Sequence, residues 1–107
     1  MSFDLNAMGD LVRQAQEIQK KVTETQAQLA AKTVSVTAGG GMVTAVASGA
    51  GLLADIKLER EVINPEEADM LRDLILAAVN EALKRAQDMV AEEMNQITSS
   101  LKLPGRP

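Results

Sequence analysis

A chain of 107 residues with a formal net charge of −4 has room for one domain, and a domain of that size buries only about two thirds of its unfolded surface. It has no histidine and no cysteine, which excludes the usual general base near neutral pH, thiolate nucleophiles, disulfides and the ligands of zinc and most redox metals. Phe3 is the only aromatic residue, so the core must come from Ala, Val, Leu, Ile and Met.

The N-terminal stretch MSFDLNAMGD places Asp4 and Asp10 where a secretory peptide needs a cationic start and an apolar run. No stretch is apolar for long enough to span a bilayer. A cytoplasmic protein is expected. The charge is divided unevenly: Leu11 to Arg60 carries six cations against four anions, net +2, and Glu61 to Leu101 carries three against nine, net −6. The first half can face a polyanion, and the second cannot along most of its length.

Taken in chain order, the first predicted element is a helix over residues 4–32. Met8, Leu11, Ala15, Ile18, Val22 and Leu29 step by three and four, with Thr25 in the one missing place, which is the a/d spacing of a coiled-coil seam. The pairs Arg13–Glu17, Glu17–Lys21 and Lys20–Glu24 have favourable spacing for an exposed helix. Such a rod is roughly 40 Å long, more than so small a domain can cover. Its stripe therefore needs a second chain or projects into solvent.

Residues 33–60 read as a three-stranded antiparallel meander: TVSVTA (33–38), MVTAVAS (42–48) and LLADIKLER (52–60) are short, alternating or β-branched, and separated by glycines. In the third strand Leu52, Ala54, Ile56 and Leu58 are expected on a buried face, with Leu53, Asp55, Lys57 and Glu59 on a wet one. Ala45 and Ala47 are small enough to let a helix approach closely. The glycines of TAGGGMVTAVASGAGLL lead into a strand, with no Lys and Ser or Thr opening a helix, so a phosphate-binding loop is not supported. Gly39 to Gly41 and then Gly49 and Gly51 are expected to supply positive φ angles for two turns.

A second helix is predicted over 65–100. Asn64 is its N-cap, Pro65 the first helical residue, and Glu66 and Glu67 suit the macrodipole. Leu71, Leu74, Ile75, Ala78, Val79, Ala82, Leu83, Ala86, Val90, Met94 and Ile97 keep a helical period. Met70, Met89 and Met94 read as adaptable core filler. A flexible tail follows over 101–107. The fold class is therefore α+β in the order α-β-β-β-α, as one unit over 1–107.

Several residues invite a functional reading. Asp69 with Asp73, and Glu92 or Glu93 with Asp88 or Gln96, set carboxylates one helical turn apart, but an acidic amphipathic helix does so by default and a solvated face is preferred. Lys84 and Arg85 either bind phosphate or flank the acidic turn holding Glu81 and Asp88. Asn80 sits beside the apolar stripe, where it either fixes dimer register or is merely exposed. Arg13, Lys20, Lys21 and Lys32 weigh most, because two copies of the first helix would present a repeated set of cations able to straddle a duplex. Without aromatic stacking, backbone contact with little base readout remains. The dimer candidates are Leu11, Ala15, Ile18, Val22, Leu29 and Asn80.

The stretches LVRQAQEIQKKV (11–22), GGGMVTAVASGAGLLADIKLEREVIN (39–64), LILAAVNEALKRAQD (74–88) and the LPG near the end resemble the YbaB/EbfC family of bacterial nucleoid-associated proteins. The resemblance implies a small cytoplasmic homodimer whose first helices project like the arms of tweezers, binding double-stranded DNA in the nucleoid with a role in its organisation or in gene regulation. It implies no cofactor, no metal, no small-molecule substrate and no membrane. Family members often carry a Gly- and Lys-containing tip and a basic residue in the second strand. Here Asp4 and Asp10 stand at the tip, and Thr44, Ala45 and Ala47 in the strand.

The leading reading is thus a non-enzymatic, homodimeric DNA-binding protein contacting the duplex backbone with low sequence specificity. The alternative is a coiled-coil adaptor whose first helix pairs with a partner protein. An enzyme comes third, since no nucleophile–base pair stands out.

Overall fold

The structure is a computed structural model and describes residues 4–100. Phe3 and the tail expected over 101–107 lie outside the described residues. The order is α1 (Leu5–Ala31), β1 (Thr33–Ala38), β2 (Val43–Ser48), β3 (Leu53–Leu58), two single 3-10 turns (Arg60–Val62 and Pro65–Glu67) and α2 (Ala68–Ser100). The α-β-β-β-α order and the antiparallel β1-β2-β3 meander agree with the sequence reading.

Both helix starts are capped by side chains. The Asp4 carboxylate accepts the backbone N–H of Asn6 at 3.0 Å and of Ala7 at 3.4 Å. Asn64 accepts from the Glu66 N–H at 3.0 Å, although the first turn it caps is 3-10, with α2 proper starting at Ala68. These bonds satisfy donors that a helix start leaves without an internal partner.

The core is an alanine seam. Ala45 and Ala47 of β2 are fully buried beside Ala78 and Ala82 of α2, with Ala86, Val36 and Val43 completing the cluster. The missing side-chain bulk lets α2 lie close on β1 and β2, while Val34, Leu71, Leu74, Ile75, Val79 and Leu83 close its sides.

β3 departs from expectation. Every residue of it is exposed, because α2 lies on β1 and β2 and the core includes no residue of the third strand. A bulge beside Val46 and Ala47 also resets the alternation, pairing Asp55 with Val46 but Leu53 with Ala47. Leu53 thereby joins Ile56 and Leu58 on the helix side of the sheet, whereas strict period-two counting puts it on the wet side. Met70 is likewise exposed rather than core filler, while Met89 and Met94 are half-buried.

Gly39, Gly40 and Gly41 have φ of 65°, 69° and 97° and Gly51 has 80°, as turns of this kind require. Gly49 does not share that conformation. A Cβ there would strike the carbonyl of Leu29 and lie 3.2 Å from Val90, so its role is to let the end of α1 approach the sheet.

α1 is attached at its C-terminal end alone. Leu29 is its one buried residue; Thr25, Val22 and Ile18 are half-buried, and every described residue before Ile18 is exposed. Leu29 and Val90 both flank Gly49, and Lys32 pairs with Glu93 at 3.3 Å. The apolar stripe of α1 is thus buried at Leu29, half-buried at Thr25, Val22 and Ile18, and bare beyond. The described structure is 80 Å in its longest dimension.

Candidate functional site

The arm formed by α1 carries cations that stand clear of the body. Lys20 and Lys21 lie near the upper limit of the half-buried stretch and border a shallow open concavity with Glu17, Glu24, Thr25 and Gln28. Among the described residues neither lysine forms an ion pair. The spaced pairs Glu17–Lys21 and Lys20–Glu24 do not close, as befits exposed side chains that lose rotamer freedom for little Coulomb gain. Arg13, farther out, turns to Asp10 at 3.5 Å instead of Glu17.

The other candidate cations are engaged. Lys32 meets Glu93 across the junction between α1 and α2. Lys84 pairs with Asp88 at 3.6 Å and Arg85 with Glu81 at 3.1 Å, both one turn apart on α2. Asp69 and Asp73 are bridged by Arg72, at 3.7 and 3.5 Å. Among the described residues no group of three or more acidic residues is arranged to hold a metal ion, and no polar or charged side chain is buried.

The expected interface residues divide. Leu11 and Ala15 are exposed on the bare half of the arm, and Ile18 and Val22 are half-buried. Leu29 is 2% exposed within a single chain and has no surface left for a partner, and its carbonyl lies against Gly49. Asn80 is exposed.

Two features escaped the sequence reading. Asp4, read only as a charge at the tip, caps α1. Leu53, Ile56 and Leu58 form an uncovered apolar strip, 37–39% exposed, with Leu52 at 66% beside it. A single-residue bulge leaves no sequence signal, so Leu53 could not be assigned to that strip in advance.

A capped arm with free lysines, on a three-stranded sheet backed by one long helix, matches known proteins. The profile of the YbaB/EbfC DNA-binding family matches residues 5–101, and the chain belongs to that family. It is 48% identical over 99 residues to a nucleoid-associated protein of Thermodesulfovibrio yellowstonii, covering 92% of this chain and 87% of that one. It is 46% identical over 98 residues to a nucleoid-associated protein of Pelotomaculum thermopropionicum, covering 92% and 93%. The crystal structure of an uncharacterised Helicobacter pylori protein superposes with a TM-score of 0.65 at 20% identity, over 94% of this chain and all of that one. The family is a DNA-binding one and not a known enzyme class. Among the described residues no helix is long and apolar enough to cross a membrane.

Proposed function

We propose that this chain is a non-enzymatic DNA-binding protein of the nucleoid, acting as a homodimer that grips the duplex backbone with low sequence specificity. Lys20 and Lys21 carry the proposal: they are adjacent, exposed and unpaired among the described residues, on an arm standing clear of the acidic body. Arg13 extends the same element outward. The relatives' designation as nucleoid-associated proteins supports the cellular role, in nucleoid organisation or gene regulation within the cytoplasm. The strip Leu53, Ile56 and Leu58 supports the dimer, since a second copy would cover apolar surface that α2 leaves open.

If about four phosphates are neutralised, affinity for random-sequence duplex falls roughly 10²-fold between 50 and 200 mM salt. Lys20→Glu with Lys21→Glu is expected to abolish gel retardation at low salt. Retardation that is absent for the wild type at low salt, or indifferent to the double substitution, refutes the proposal.

A protein-partner adaptor is the second reading, favoured by Leu5, Met8, Leu11 and Val12, which are 44–77% exposed on the outer arm. It predicts a stoichiometric protein partner that survives nuclease treatment and is lost on Leu11→Asp.

A further inference from the structure

The arm has a built base. The Gly49 N–H donates to the Lys32 carbonyl at 2.9 Å, and the Lys32 ammonium reaches Glu93 on α2. The space a side chain would occupy at Gly49 is taken by the Leu29 carbonyl. Lys32 itself has left the helix, with φ −74° and ψ 146°, so the chain turns from rod to strand between two fixed points.

We infer that Gly49 and the Lys32–Glu93 pair are positioning residues that set the angle of the arm, and that Lys32 acts through Glu93 rather than by touching DNA. This rests on the DNA-binding reading above. The lever is long. Arg13 lies about 27 Å along the rod from Ala31, so a tilt of about 5° at the base moves it by about 2 Å. Phosphates are met at fixed spacing, so such a shift removes contacts without removing any cation.

The chain lacks cysteine, so Gln14→Cys on the arm and Thr37→Cys on β1 can carry spin labels, with excess unlabelled protein isolating the distance within one chain. Gly49→Ala is expected to shift that distance by about 2 Å, as a tilt of about 5° at the base would. It also lowers affinity for random duplex about tenfold at 0.1 M salt, the counterion-release effect of about one phosphate contact. Lys32→Glu alone moves the arm and weakens binding, and Lys32→Glu combined with Glu93→Lys restores both. That rescue is incompatible with a direct Lys32–phosphate contact, because position 32 then carries a negative charge.

An unchanged distance in Gly49→Ala, a moved arm with unchanged affinity, or failure of the swapped pair to recover overturns the inference. Should Gly49→Ala not fold, the two Lys32 variants decide it alone. If the wild type does not bind duplex at low salt, the DNA reading falls, while the label distances still report whether this base holds the arm.

Discussion

Leu53 and Ile56 lie on the same side of the sheet although three positions separate them, because the bulge in β3 absorbs the residue between Leu53 and Asp55. Their chain's own α2 does not reach them. An edge strand with both a free ladder and an apolar face is a site of association unless something covers it.

A charge on that strip should break the dimer. Ile56→Glu is expected to sediment at the mass of one chain at micromolar concentration, with its helical circular dichroism intact, while the wild type sediments at twice that mass. A dimeric Ile56→Glu would move the interface elsewhere.

Leu29 supplies the opposite control. Its side chain is enclosed in cis, so Leu29→Ala should destabilise the fold by about 2–4 kcal/mol, as large-to-small core changes do. Urea unfolding would read this as a lower midpoint, and the dissociation constant of any folded dimer should not change.

Ala82 tests the alanine seam. It is fully buried in the cluster that also holds Ala45 and Ala47, leaving no volume for added methyl groups. Ala82→Leu should cost about 1–3 kcal/mol by overpacking. Ala82→Ser, nearly isosteric, should cost less than Ala82→Leu in the same unfolding series.

Asn64→Ala removes the acceptor for the Glu66 N–H. The expected loss is about 1 kcal/mol of stability, seen as a lower thermal midpoint. Asn64→Asp should retain most of the cap, since a carboxylate accepts the same bond and suits the helix N-terminus.

The candidate site was only partly legible. The arm and its cations could be listed from the a/d stripe and the charge count, because both depend on spacing along one helix. Which cations are engaged was not. Lys84 and Arg85 find acids one turn away, but Lys32 finds Glu93, a residue 61 positions distant. No local pattern reports such a pairing.

The sequence by itself determined what local chemistry controls. Glycine runs set the first hairpin, Asn64 and Pro65 set the start of the second helix, and period-two and period-3.6 patterns set strands and rods. Tertiary structure alone decided three things: that the α1 stripe is buried toward its C-terminal end and bare over its outer half, that β3 is left bare, and that Gly49 serves close approach rather than a left-handed turn. Each depends on where one element stops alongside another. Side-chain periodicity records which face of an element is apolar, but not how far along that face a neighbour extends.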